Sequence, residues 1–281
     1  MKTQKKYKTI LVLGSAGQIG SSLVPMLISQ GYNVLECDIE ISLSHDLRVP
    51  NNTVFNNMIA KSDFVFFLAF DVGGSKYLKE KQKSYEFIRN NTEIMSNVFD
   101  VLEITKKPFI FVSSQLANNQ ESPYGIQKRI GEFYTYSLGG IVTRLWNVYG
   151  IEHQNEKSHV ITDFVIQALT KNNISMLTDG QEKRQFLHAD DCSNAFIALM
   201  EHYDSMDKTV DYHITNYDWV NILTVANFVS MLTSATVEVS ASVDSIHNQD
   251  LYEPNTNILK IWQPKISLLD GIGKVIEYYR S

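Results

Sequence analysis

The chain has 281 residues, of which 44% are hydrophobic, and a formal net charge of -6 at pH 7, which is ample for one large α/β unit or a domain with a smaller companion. Basic residues are dispersed apart from the opening MKTQKKYK, so no cationic surface points to nucleic acid or to an anionic membrane, and neither is an expected partner. No apolar run approaches the ~18 residues of a membrane span, the opening lysines precede only a short run that ends in glycine, and Cys37 and Cys192 make no disulfide framework, so a cytoplasmic location is expected.

Residues 8 to 13, KTILVL, form an apolar, β-rich run that stops at Gly14-Ser-Ala-Gly17-Gln18-Ile19-Gly20, and the helical-period segment SSLVPMLISQ follows. In such a strand, glycine turn and helix, the glycines let the backbone approach a pyrophosphate, and the helix N-terminus offers free N–H groups and partial positive charge. The turn therefore reads as a dinucleotide site. The next strand, YNVLECD, ends in Asp38, 18 residues after the last glycine. An acid there hydrogen-bonds the adenine ribose hydroxyls and repels a 2′-phosphate, which makes NAD(H) the expected cofactor rather than NADP(H).

Asp46-Leu47-Arg48 follows a short polar loop, and SDFVFFLAF, carrying Leu68 and Ala69, is a continuous apolar strand of the kind buried in a parallel sheet. It runs into Asp71-Val72-Gly73-Gly74, at the carboxyl end of a strand, where ligands of open α/β sheets bind. Residues 84 to 104 are apolar at helical spacing over Phe87, Ile88, Ile94, Met95, Val98, Phe99 and Leu102. Pro108 starts the strand PFIFVSS, a helix opens near Pro123, and GGIVTRLWNVYG reads as a fifth strand. The β-α-β alternation implies right-handed crossovers and an α/β, doubly wound Rossmann-type parallel sheet.

On the helix that opens near Pro123, Tyr124 and Lys128 stand four residues apart on one face, with Ser114 just upstream. A free tyrosine has a pKa near ~10, so ionising it at neutral pH needs roughly 3 units, or ~4 kcal/mol, of differential stabilisation. An ammonium ~6 Å away at an effective dielectric near 20 supplies about 3 kcal/mol, and a cationic cofactor ring most of the rest. The pair is thus a proton-transfer arrangement.

After Gly150 the rhythm changes. The polar stretch IEHQNEKSH leads to a helix, VITDFVIQALT, then to TDGQEKRQFLHADD and a second helix, CSNAFIALMEHY, which Asp190 or Asp191 is placed to cap. Residues 1–150 read as the dinucleotide-binding domain and 151–281 as a smaller C-terminal α+β substrate-binding domain, with segments around 187–215 returning to the sheet. His153, His159 and His188 have no metal-ligand spacing, so no metal site is expected.

Several motifs in order resemble the extended short-chain dehydrogenase/reductase superfamily, and within it the NAD-dependent epimerase/dehydratase family acting on nucleotide sugars. They are GSAGQIG, Asp46-Leu-Arg48, Asn91-x5-Asn97, Ser113-Ser114, Tyr124-x3-Lys128, RLWNVYG from Arg144 and GQEKRQFLHADD from Gly180, and the resemblance runs from about residue 8 to 280. It implies that Tyr124 is the acid/base, Ser114 its partner on the substrate hydroxyl, and Lys128 the tyrosine activator and nicotinamide-ribose ligand. It places Gly14, Gly17, Gln18, Ile19, Gly20, Asp38, Asp46, Leu47, Leu68, Ala69 and Asn91 on the cofactor, and Gly73, Asn147 and Arg184 on a nucleotide-diphosphate sugar, with Arg184 gripping the diphosphate.

The resemblance further implies that helices near 84–104 and 122–138 pair across a two-fold axis, with Tyr85, Phe87, Phe133, Tyr134 and Tyr136 as apolar surface for a homodimer. The leading function is epimerisation through a transient 4-keto sugar. A 4-keto reductase or dehydrogenase uses the same residues, and a non-catalytic dinucleotide sensor is the alternative from another class. Two features depart from the family pattern. The connection from Ser114 to Tyr124 is short, so an open pocket is expected, and the Asp71-to-Gly74 loop is more like that of the GDP-fucose and GDP-mannose branches, which points to a GDP- or dTDP-linked sugar. Elimination of water is not expected, because Gln115 and Leu116 stand where the family's dehydratases carry acids, leaving Asp71 or Glu152 to substitute.

Overall fold

The computed structural model describes residues 5–152, 157–242 and 252–281; His153, considered above, lies outside them. The first half of the chain forms β1 (Thr9–Leu13), α1 (Gly20–Ser29), β2 (Asn33–Cys37), α2 (Thr53–Lys61), β3 (Phe64–Phe67), α3 (Ser75–Lys81), α4 (Tyr85–Thr105), β4 (Phe109–Ser114), α5 (Pro123–Leu138) and β5 (Ile141–Leu145). There follow β6 (Asn147–Tyr149), α6 (Val160–Lys171), β7 (Asn173–Ser175), β8 (Lys183–Arg184), β9 (Phe186–His188), α7 (Ala189–Glu201), β10 (Asp211–Ile214), β11 (Val220–Asn221), α8 (Ile222–Thr233), β12 (Thr236–Glu238) and α9 (Leu268–Arg280).

Six of the strands make one parallel sheet in the order β2-β1-β3-β4-β5-β10. The chain is doubly wound, as the apolar runs predict. β3 and β4 are buried at every position because helices cover both faces of the sheet. On one face α1 and α7 pack through Leu23, Leu27, Ala195 and Phe196. On the other, α2 and α4 pack through Phe55, Ile59, Met95 and Phe99. A separate apolar cluster lies among α6, α8 and α9, around Ile161, Val165, Val225 and Ile272. The winding reverses at β1, whose neighbours are β2 and β3, and that reversal opens a crevice at the carboxyl ends of the strands.

Two local expectations are corrected. The run 139–150 is not one strand: β5 ends at Leu145, Val148 N turns back to Trp146 O (3.2 Å), and β6 leaves the sheet to pair with β9. The cap of α7 is neither Asp190 nor Asp191 but His188, whose Nδ1 accepts the Asp190 amide (3.2 Å). Asp191 instead accepts the amides of Lys265 and Ile266, and Asp190 takes Lys274.

α5 positions the reaction-side residues. Ser122 caps it by accepting the Gly125 amide, Pro123 fits the first turn, where no N–H is needed, and Gly139 ends it in the left-handed region at φ 72°. Midway, Gly131 faces the Phe111 ring so closely that a Cβ would lie 2.3 Å from Phe111 Cζ. The helix therefore lies directly on β4, with Tyr124 and Lys128 at the end of the sheet. Among the described residues no helix is long and apolar enough to cross a membrane, and no group of three or more His, Cys, Asp or Glu side chains could hold a metal ion.

Candidate active site

A cleft of about 730 Å³ runs along the carboxyl ends of β1, β3, β4 and β5. At one end lies the glycine turn. Gly14 has φ 85°, and a Cβ there would lie 2.7 Å from Ala69 N; a Cβ on Gly20 would lie 2.3 Å from Gly14 O. Those two glycines are required by the fold itself. At Gly17 a Cβ would meet nothing closer than Gly14 O at 3.5 Å, so the protein's own packing does not demand glycine there, whereas close approach of a ligand would. α1 carries no side-chain cap, and the amides of Gln18, Ile19 and Gly20 have no acceptor among the described residues. Uncapped donors at a helix N-terminus suit a pyrophosphate.

Asp38 lines the same end of the cleft. Its carboxylate accepts the amides of Ala16 (3.0 Å) and Glu40 (2.9 Å), which hold it at the tip of β2. Asp46, Leu47, Leu68, Ala69 and Gly73 also line the cleft. Asp46 is engaged by Arg48 through Nε and Nη2, both at 2.9 Å, and this side-chain bonding, opposed by burial, keeps its carboxyl below the usual range. This set of residues fits a dinucleotide with an acid at the adenine ribose.

At the other end stand Ser114, Tyr124 and Lys128, all in the lining and all buried. The Ser114 Oγ accepts the Leu116 amide (3.2 Å), and its hydroxyl faces the Tyr124 phenol. Lys128 Nζ donates to Val112 O (2.7 Å) and lies 3.7 Å from the centre of the Phe70 ring and 5.8 Å from that of Tyr124. The Tyr124–Lys128 spacing is thus as the helix periodicity predicts. The electrostatics are corrected in one respect: in the free protein burial pushes Tyr124 up to about 12, against the opposing Ser114 hydroxyl, and pushes Lys128 down to about 7, against the opposing charge of Glu132. Desolvation thus outweighs the opposing influence of the Ser114 hydroxyl, and ionisation of the phenol calls for positive charge in the cleft.

Three expected ligand residues lie elsewhere. Asn91, fully buried on α4, holds the loop after β3 by accepting the Asp71 amide (2.7 Å) and donating to Asp71 O (3.1 Å); its neighbour Asn90 lines the cleft instead. Asn147 donates to Gln185 O (3.2 Å) on the β6–β9 side, and Arg184 sits on β8, where Nη1 bonds Lys183 O (2.7 Å). Neither of these two lines the cleft.

Sequence reasoning did not single out Trp146, Lys157 or His159 for the site, yet all three line it. Asp71 and Glu152, the acids considered as substitutes for elimination, line it too, but both are engaged. Asp71 accepts from Tyr77 (2.7 Å) and Lys157 (3.3 Å), and Glu152 holds the amide of His159 (2.9 Å) and its Nδ1 (2.6 Å). Gln115 and Leu116 do not line the cleft. They lie in a short 3-10 turn, Gln115–Asn118, packed on the start of α5, where a Cβ on Gly125 would come within 2.1 Å of Leu116 O.

The family model described as "NAD dependent epimerase/dehydratase family" matches residues 10–215. UDP-glucuronic acid decarboxylase 1 of Xenopus tropicalis is 22% identical over 317 residues, covering 99% of this chain and 74% of that protein. A putative UDP-glucose 4-epimerase of Methanocaldococcus jannaschii is 26% identical, covering 97% of this chain and 98% of its own length. Among solved structures, the GDP-mannoheptose C4 reductase from Campylobacter jejuni with NADP bound superposes with a TM-score of 0.81 at 20% identity, covering 99% of this chain and 100% of that one.

Proposed function

The chain belongs to the NAD-dependent epimerase/dehydratase family, and from that premise we propose that it is a nucleotide-sugar epimerase that uses NAD and works through a transient 4-keto sugar. The observation that carries this reading is the placement of Ser114, Tyr124 and Lys128 in one cleft with the uncapped glycine turn. Tyr124 accepts the proton of the sugar hydroxyl and later returns it. Ser114 hydrogen-bonds that hydroxyl, and the Lys128 ammonium stabilises the phenolate. Bound NAD supplies the hydride acceptance and return that the side chains cannot. Trp146, at the break between β5 and β6, walls the reaction end and helps exclude water from it. The residues that follow Ser114 are Gln115 and Leu116, and neither side chain can exchange a proton near neutral pH, so those positions supply no acid to drive elimination.

A screen of UDP-, GDP- and dTDP-sugars in deuterated water, with and without added NADH, tests this. An isomeric product is expected without added NADH, with no loss of water and no carbon-bound deuterium, because hydride returned within the cleft never meets solvent. Strict dependence on stoichiometric NADH would instead establish a one-way reductase. A second reading rests on the Glu152–His159 pair. A carboxylate that fixes one ring nitrogen orients an imidazole for proton transfer, so deuterium on a carbon beside the carbonyl would assign His159 that additional role.

For the cofactor, NAD(H) is expected to bind more tightly than NADP(H), because Asp38 sets a carboxylate against the 2′-phosphate. Replacing Asp38 with asparagine should narrow the gap about tenfold, or about 1.4 kcal/mol, by calorimetry. Tighter binding of NADPH by the unaltered protein would remove Asp38 from the ribose.

The assembly in this reading is a homodimer through α4 and α5. Their solvent side carries Tyr85, which is 79% exposed, and Phe133, which is 59% exposed, together with Ile88, Ile126, Ile130 and Tyr134. Phe87 is not part of that face, being 1% exposed in the chain's own core, and Tyr136 is half-buried. Light scattering should give twice the mass of the 32.0 kDa chain, and Phe133→Glu should give the monomer, since a charge in an apolar interface is left without a partner.

A further inference from the structure

Three consecutive residues at the end of β4 each face a different turn of α5. Lys128 Nζ donates to Val112 O (2.7 Å), and the Ser114 hydroxyl faces the Tyr124 phenol and lowers its pKa. Between them, Ser113 Oγ donates to Glu132 Oε1 at 2.6 Å. Tyr124, Lys128 and Glu132 recur every fourth residue, so they form one stripe of the helix, and its three turns face three successive strand residues.

Glu132 is 0% exposed and does not line the cleft, so it touches neither cofactor nor substrate. It is nonetheless anchored from the other side as well. Arg144 on β5 donates Nε to Oε1 (2.7 Å) and Nη2 to Oε2 (2.8 Å), and Arg129 donates Nη1 to Oε2 (2.7 Å). Arg144 also reaches Asn118 Oδ1 (3.1 Å), in the turn that follows Ser114, and Asp211 on β10 (2.9 Å). A buried carboxylate is tolerated only when its acceptor sites are met, and an apolar pair of similar volume would often serve stability as well. What an apolar pair would not do is fix direction: the four bonds to Glu132 tie β4, β5 and α5 to one point, and the bond from Arg144 to Asn118 adds the turn after Ser114.

We propose that Glu132 is a positioning residue that, through Ser113 and Arg144, sets the register of Ser114 against the Tyr124 phenol. The inference rests on the reading of Ser114, Tyr124 and Lys128 as the proton-transfer set. The backbone of β4 is fixed by its pairing with β5, Ser113 against Arg144 and Ser114 against Leu145, but a helix seated on that strand end by the Val112–Lys128 bond alone can pivot about it, and displacement of a reacting group by about 1 Å can cost on the order of a hundredfold in rate. The neighbouring bond from Ser113 removes that freedom.

The test uses the whole protein loaded with NAD and three variants. Ser113→Ala removes one bond and leaves Glu132 three donors, so it is the variant that keeps the fold; Glu132→Gln removes the charge. Arg129→Met is the control, because Arg129 bonds Glu132 but is not attached to β4. Phenolate absorbance is followed with pH, and subtraction of the Tyr124→Phe trace isolates Tyr124, which is faced by Ser114, Lys128 and the Phe70 ring. Since the Ser114 hydroxyl lowers the Tyr124 pKa, loosening that contact should move the inflection upward by about half a pH unit or more in Ser113→Ala and Glu132→Gln, and not in Arg129→Met. With the nucleotide sugar that turns over in the screen, kcat should fall about tenfold in Ser113→Ala, KM should stay within about twofold, and the primary isotope effect from C4 deuteration should rise. Ser113→Ala with a wild-type inflection and wild-type kcat overturns the proposal, whether or not Glu132→Gln folds. A lower melting temperature with an unchanged isotope effect also overturns it, since that is the result of a merely structural role. Full turnover by Tyr124→Phe would sink the underlying reading instead.

Discussion

Replacing Tyr124 with phenylalanine is expected to lower kcat by about a thousandfold while leaving NAD affinity within about twofold, the range typical for loss of a positioned acid/base. The substitution deletes one oxygen. The ring keeps its edge contact with Phe70 at 5.8 Å between centroids, and Lys128 keeps its bond to Val112 O, so neither the fold nor the glycine turn is disturbed. What is lost, on the reading proposed above, is the group that exchanges a proton with the sugar hydroxyl. Calorimetry with NAD and single-turnover kinetics on one preparation separate these effects. Turnover within tenfold of wild type would show that proton transfer runs through another group, and His159, held by Glu152, would be the next to replace.

The second large effect is a contrast within the glycine turn. Gly17→Val should fold with an unchanged melting temperature and lose about a hundredfold or more in NAD affinity, or about 2.7 kcal/mol. Gly20→Ala should fail at the level of the fold, because its Cβ would stand 2.3 Å from Gly14 O and 2.6 Å from Ser15 O. Those contacts are with backbone atoms of a tight turn and cannot relax by a rotamer change. Thermal melts and titrations of both variants check the pair of expectations. If Gly17→Val bound NAD as the wild type does, the pyrophosphate would not lie against this turn.

These two sites were also the parts of the molecule most legible in the linear chain. A glycine turn between a strand and a helix, and a tyrosine and lysine four apart on one helix, are local patterns whose geometry follows from backbone sterics and helical periodicity alone. The buried strands were legible for a similar reason: a sheet covered on both faces requires apolar residues at every position, and FVFF and FIFVSS show it directly. Asn91, Asn147 and Arg184 were read from the family resemblance and are not among the residues that line the cleft, because where their side chains point depends on partners distant in sequence. Asn91 is turned onto the backbone of Asp71, 20 residues earlier, and Asn147 onto Gln185, 38 residues later.

The sequence by itself determined the doubly wound sheet, the glycine turn and the tyrosine–lysine stripe, since each is set within about one strand or a few helical turns by steric and periodic rules that need no distant partner. Only the tertiary structure decided which acids and cations meet. Lys157 reaches Asp71 across 86 positions, the chain turns at Trp146 so that β6 leaves the sheet for β9, and Arg144 gathers Glu132, Asn118 and Asp211 around one guanidinium. Such contacts depend on which strand ends the fold brings side by side. The physical reason is that burial strengthens electrostatic pairing and makes unpaired charge costly, so the choice of partner is made after the chain has folded back on itself and not by residue type or spacing.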